Sequence, residues 1–294
     1  MHLRVSFVFF LPCVLAVCAG PSFAQTPEPA QKLVADVIYN ELHDRECDSF
    51  WEYRSERIAG GQNIVREQVE TADGPIFRVI EDHGNPLDAV ERRKEEQRLR
   101  DLVGRPGAMA HVRQEHEQDE ERLKKVMAML PSAFLFEYDG PSEGDSVRIA
   151  FRPNPAFVPS SYEARVVHAL GGTVIVNRRL KRMVDMSGRV TNRVDFGYGI
   201  LGRLYKGGWF RLQRTQVSAT DWKTERLEIH MNGRALFLKT ISRETSEVRG
   251  GFAPVPAGMT LEQGMKLLGP EQTTAQTTTP STVLIKPASF VSAH

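Results

Sequence analysis

Two runs decide the fold: GGTVIVNRRLKRMVDMSGRV at residues 171–190 and WKTERLEIHMNGRALFLKTISR at residues 222–243. Both read as consecutive antiparallel strands with almost no helix signal between them. Together with 209–217 they predict a meander of antiparallel strands over 171–250. Turns are expected near 178–181, at Ser187-Gly188 and at Asn232-Gly233, the last a strong hairpin signal. A short helix capped by Ser160 and Glu163 and ending at Gly171-Gly172 precedes it.

Upstream the pattern is mixed. Leu33, Val34, Val37, Ile38 and Leu42 fall at helical spacing within 28–46. Residues 49–58 switch to a period of two, with Trp51 and Tyr53 on one side and Glu52, Arg54 and Glu56 on the other. After Gly60-Gly61, strands over 63–70 and 76–81 flank a turn at Asp73-Gly74. Residues 87–130 then predict two charged helices, broken at 104–107 and stopped by Pro131. Two further strands follow at 134–138 and 146–151. Thr260 with Gln263 caps a last helix. The fold class read from this order is α+β: a curled antiparallel sheet, an incomplete barrel, with helices covering or plugging one side.

The first 24 residues carry the three parts of an export signal: Arg4, an apolar run over 5–17, and Ser22-Phe23-Ala24 before the cut. The run is short for a membrane span. A lipoprotein anchored through Cys18 is the alternative, although Val17 stands where such a signal has a small residue. The expected organisation is a leader at 1–24, one half-barrel domain over 25–269 with a helical insertion at about 87–130, and a Thr/Pro-rich disordered tail at 270–294. The predicted localisation is periplasmic or secreted. Removing the leader takes Arg4 from 38 basic residues and leaves 37 against 37 acidic ones. That balance argues against a nucleic-acid partner. Cleavage leaves Cys47 as the one remaining cysteine, so no internal disulfide holds the fold.

No catalytic constellation emerges. His43 to Asp48 gathers metal-capable side chains around Arg45 without a second cluster at zinc spacing. His111 and His116 are five apart and do not share a helical face, and His168 and His230 are isolated. Gly197-Tyr198-Gly199-Ile200-Leu201-Gly202 matches a dinucleotide loop in letters only, because strands follow it. No cofactor and no metal is predicted. Ten basic side chains over 171–215 (Arg178, Arg179, Lys181, Arg182, Arg189, Arg193, Arg203, Lys206, Arg211, Arg214) face only Asp185 and Asp195 in the same stretch. They suggest either a solvated outer sheet face or a surface for an anionic partner.

The remaining lead is the set Trp51, Tyr53, Val65, Val69, Phe77, Val79, Trp209 and Trp222, which all fall on predicted strands. They could line the hollow of a curled sheet or simply fill its core.

The order of elements, with Gly-Thr-Val-Ile-Val-Asn at 172–177 and Lys-Arg-Met-Val-Asp-Met-Ser-Gly at 181–188, resembles the periplasmic carriers of the outer-membrane lipoprotein-sorting superfamily. Related half-barrels include lipoprotein receptors and periplasmic regulators of envelope-stress sigma factors. The resemblance covers about 28–250, and the charged helices at 87–130 depart from the simple carrier layout. It implies a hollow that binds lipid or lipoprotein acyl chains. A sensor or interaction module docking an envelope protein is the alternative, and an uncharacterised hydrolase, using His43 or His230, the second.

Overall fold

The computed structural model describes residues 28–43, 50–196, 202–235 and 239–269. The leader, Cys18, the cluster at 44–48 with Cys47, the glycine run at 197–201 and the tail from 270 lie outside the described residues.

In chain order the elements are α1 (Ala30–His43), β1 (Phe50–Ala59), β2 (Gln62–Val69), β3 (Ile76–Asp82), β4 (Asn85–Pro86), α2 (Ala89–Gly104) and α3 (Pro106–Ala133). Then come β5 (Phe134–Tyr138), β6 (Ser146–Pro153), α4 (Tyr162–Val167), β7 (Leu170–Asn177), β8 (Arg182–Val190) and β9 (Val194–Phe196). The chain closes with β10 (Gly202–Leu204), β11 (Trp209–Gln216), β12 (Trp222–Ala235), β13 (Lys239–Val255) and α5 (Leu261–Leu267). The strands form one curled, unclosed antiparallel sheet in the order β4-β3-β2-β1-β13-β12-β11-β8-β7-β6-β5, with β9 and β10 attached beside β12. The chain's first and last long strands thus pair at its centre, from Phe50 opposite Val255 to Ala59 opposite Thr245.

Helix α1 defines the inner face. Its Leu33, Val34, Val37 and Ile38 pack on Val147, Ile149, Val174, Val176 and Met183 of β6, β7 and β8. Burying each such side chain contributes about 1.5–3 kcal/mol. The end of α3 covers Phe134 and Phe151 on the same wing. On the other wing α5 and α2 cover Val69 and Ile76, which by register stand on the face opposite α1.

Side chains from the helices occupy both sheet edges. At β5 the Phe136 N–H donates to Gln31 Oε1 (3.3 Å), and Gln31 Nε2 donates to the Phe134 carbonyl (3.4 Å). At β3 the Val79 N–H donates to Glu95 (2.8 Å), and Arg98 donates to the Phe77 carbonyl (2.7 Å). Unpaired strand edges recruit other chains, and these contacts blunt that tendency. Gln31→Ala should cost about 1–2 kcal/mol in urea unfolding and produce concentration-dependent association in light scattering. An unchanged midpoint with no association would show that the amide guards nothing.

Five local expectations are corrected. Pro131 does not stop α3, which runs on to Ala133; in the last turn a missing N–H removes only one bond. Ser161, not Ser160, caps α4, accepting the Ala164 N–H at 3.1 Å. Gly171-Gly172 and Ser187-Gly188 lie within β7 and β8, because a Cβ on Gly172 would sit 2.0 Å from the Ser187 carbonyl oxygen and one on Gly188 2.7 Å from the Phe210 ring. Asn232-Gly233 is likewise strand: β12 continues to Ala235, and Gly233 admits the Arg203 backbone of β10, whose oxygen would lie 2.4 Å from a Cβ there.

Candidate functional site

The inner face can be followed across the sheet by register. One row runs Ile149, Val174, Met186, Leu212, Leu227, Glu247, Arg57, Ile64. It is apolar as far as Leu227 and charged at Glu247 and Arg57. The next row carries Arg249, Ser55, Arg66 and Val79 side by side. The inner face is therefore apolar from β6 to β12 and turns polar at β13, β1 and β2.

Strand alternation supplies these positions. Trp51, Tyr53 and Ser55 are buried at every second residue of β1, and Thr245 and Glu247 are buried on β13. Glu247 is 5% exposed and accepts from Arg249 Nε at 2.9 Å. Arg66 Nη2 lies 3.7 Å from the same carboxylate oxygen, and Arg66 Nε donates to Ser55 Oγ at 3.1 Å. The Arg249 guanidinium lies over the Tyr53 ring at 5.5 Å, and Arg66 and Arg98 lie over Phe77 at 4.9 and 4.7 Å. Burial works against the Arg66 charge and lowers its pKa, with Glu247 opposing that effect. Arg57 forms no ion pair among the described residues. Beside it opens a hollow of about 230 Å³ lined by Arg57, Ala59, Gln62, Ile64 and Arg66.

Burial raises the Tyr53 phenol from 10.0 to about 12. A folded-state pKa above the unfolded one favours the protonated phenol, so the unfolded chain loses its proton first as pH rises. Stability should be flat below pH 10 and fall by about 3 kcal/mol between pH 10 and 12. Tyr53→Phe should remove that slope. An absorbance titration in which every tyrosine ionises by pH 10.5 would refute the assignment.

The eight aromatic and aliphatic residues singled out in the sequence do not share one surface. By register Trp51, Tyr53, Phe77, Val79 and Trp222 fall on the inner face, whereas Val65, Val69 and Trp209 fall on the outer one. Val69 is fully buried in the cluster with Ile76, Leu261 and Leu268. Trp209 is 43% exposed and stacks on His230 at 6.1 Å. Trp51 and Tyr53 are each 5% exposed and pack as core. Missed in the sequence were Ser55, Arg57, Arg66, Glu247 and Arg249. Their signal was faint but present: Thr245, Glu247 and Arg249 put polar groups at every second position of a strand later found at the sheet centre.

The basic stretch over 171–215 is largely neutralised by acids from elsewhere in the fold. Arg179 meets Asp145 (2.8 Å), Lys181 meets Asp36, and Arg182 and Arg214 meet the buried Glu41. Arg193 and Arg203 share Asp195, and Arg211 takes Asp185. The histidines have local partners: His43 Nδ1 with the Tyr39 carbonyl, His111 with Glu115, His168 with the Asn154 carbonyl, and His230 with Glu244. Among the described residues no group of three His, Cys, Asp or Glu side chains is placed to hold a metal ion, and no helix is long and apolar enough to cross a membrane.

Helix α3 has 28 residues, about 42 Å of helix. Met109 and Val112 anchor one end beside α5, and Val126, Met129 and Leu130 anchor the other beside β5. Between them residues 113–125 are mostly exposed and carry ion pairs along the helix, such as Arg122 with Asp119 (2.8 Å) and Lys125 with Glu121 (2.9 Å). A helix polar all round in its middle bridges two packed ends.

No known family model matches the chain, and no curated protein does. Among solved structures it is similar to MucB, in the crystal structure of MucB in complex with MucA(peri). The identity is 10%, with 80% of this chain and 97% of that one covered, at a TM-score of 0.21. A superposition of that score carries no argument about function.

Proposed function

We propose that this chain is an exported interaction module that docks a protein partner on the inner face of its curled sheet, in preference to carrying acyl chains there. The observation that carries the reading is the charged centre formed by Arg57, Arg66, Glu247 and Arg249. An acyl chain contributes about 0.8 kcal/mol per CH₂ only where its surroundings are apolar. Covering several charges with hydrocarbon costs several kcal/mol per ion. A polypeptide supplies hydrogen bonds and countercharge as well as apolar contact. Because side chains from α1 and α2 occupy the edges at β5 and β3, docking on the face fits this structure better than adding a strand. Export rests on the leader, and among the described residues no nucleophile and base are paired to support a hydrolase.

The test is native mass spectrometry on residues 25–294, purified from a periplasm without detergent. A co-purifying protein mass that is released at about 0.5 M salt, where exposed charges are screened, supports docking. An acyl-bearing mass that resists salt and leaves on organic extraction overturns it in favour of the carrier.

A further inference from the structure

The centre of the inner face has too few acids for its bases. Arg57, Arg66 and Arg249 surround one carboxylate, Glu247. Arg249 takes it at 2.9 Å, Arg66 reaches it at 3.7 Å, and Arg57 stands directly opposite it on the neighbouring strand without closing a pair. The other acid nearby, Glu70, is held by Lys223 at 2.7 Å. Partly buried guanidinium groups in excess of their counterions are costly, and the cost falls when an anion joins them. Excess charge alone is common on surfaces; here it coincides with a hollow. The space of about 230 Å³ lies against Arg57 and Arg66, its remaining walls are Ala59, Gln62 and Ile64, and exposed Gln62 leaves it open near the β1–β2 turn. A guanidinium presents a planar fork of donors that matches a carboxylate bidentately.

Resting on the interaction-module reading, we infer that this hollow receives a carboxylate side chain from an acidic segment of the docked partner. Arg57 is the primary contact, because it closes no ion pair among the described residues and its side chain is only partly buried. Arg66 is the secondary one, already positioned by Ser55 and Phe77. Gln62 can donate a further hydrogen bond from the rim, and Ile64 and Ala59 fit the methylene stem of a glutamate.

The experiment is fluorescence anisotropy of the exported chain with a labelled peptide of consecutive glutamates, its glutamine counterpart, and vesicles of phosphatidylglycerol. The glutamate peptide should bind at least about tenfold more tightly than the glutamine peptide. Arg57→Gln should remove that preference without lowering the melting temperature. Ala59→Glu should place a carboxylate of the chain's own in the hollow, abolish peptide binding and raise the melting temperature. A disruptive substitution would lower it. Three outcomes overturn the inference: no preference for glutamate, a preference that survives Arg57→Gln, or Arg57-dependent capture of the vesicles in place of the peptide. The two readings fail separately. A partner protein whose binding ignores Arg57 would sink the carboxylate site and leave the module. Arg57-dependent peptide binding with only acyl mass recovered from the periplasm would sink the module and leave an anion site.

Discussion

Replacing Glu41 with leucine should lower stability by about 3–5 kcal/mol, the cost of leaving a buried charge without its partner. Glu41 lies on α1 with its side chain 3% exposed. It accepts the Met183 N–H at 3.2 Å, contacts Arg214, and has Arg182 at 3.9 Å. The Arg214 side chain is itself only 13% exposed, and burial already works against its charge. With Glu41 gone, the Met183 N–H loses its acceptor, and Arg182 and Arg214 lose this carboxylate as countercharge, though Arg214 still donates to the Trp222 carbonyl (2.6 Å) and Arg182 to the Asn40 and Thr220 carbonyls. Arg214→Leu alone should cost a similar amount by stranding the carboxylate. The double replacement should recover most of the loss, because a well-packed apolar pair substitutes for a buried ion pair at little cost. Urea unfolding of the two single variants and the double one measures this directly. If the double variant loses the sum of the singles, the ion pair is not what docks α1 on the sheet.

Gly172→Ala should be the most damaging of the glycine substitutions, at about 3 kcal/mol or more. A Cβ there would sit 2.0 Å from the Ser187 oxygen and 2.6 Å from the Gly188 Cα. Both are backbone atoms of the adjacent strand, so neither can rotate away. Relief requires β7 and β8 to part, which would disturb the Phe151 and Phe210 rings that meet over Gly188. Gly60→Ala is the control. That glycine has φ +60° and nothing within 4 Å of its Cβ position, so alanine there pays only backbone strain of about 1–2 kcal/mol. A thermal or urea midpoint for Gly172→Ala above that of Gly60→Ala would show that the strands part more easily than their geometry implies.

The carboxylate hollow and the Tyr53 titration address the same polar centre by different means. The titration asks whether the centre is dry when empty. The peptide asks whether it has an unfilled place for an anion. A Tyr53 that ionises normally while the peptide still binds through Arg57 would place the hollow at a wetter margin than the register suggests.

The sequence determined the elements that depend on neighbours along the chain. The period of two over 49–58, the strand over 222–231, the glycine turn at 60–61, the apolar stripe of α1 and the capping box at Thr260 and Gln263 were all legible, because each rests on local backbone preference and side-chain spacing. Residues 87–130 read as helices for the same reason. Glycine was where local reading failed. Gly172, Gly188 and Gly233 looked like punctuation, and only the approach of another strand or ring explains them.

The candidate site was beyond local reading. Alternation along β1 puts Arg57 on the face of Trp51 and Tyr53, and alternation along β13 puts Glu247 on that of Thr245 and Arg249, but neither shows that the two strands pair across 190 residues of chain. Which face is inner depends on where α1 docks, and irregularities in the register between β2 and β3 and between β11 and β12 reset the alternation from strand to strand. Trp209 and Trp222, alike in sequence, consequently end on opposite faces. The sequence by itself determined which segments are strands and helices, since that follows from short-range sterics and periodicity. Only the tertiary structure decided that the sheet's centre is charged, since that follows from long-range pairing, which brings three arginines around one buried glutamate.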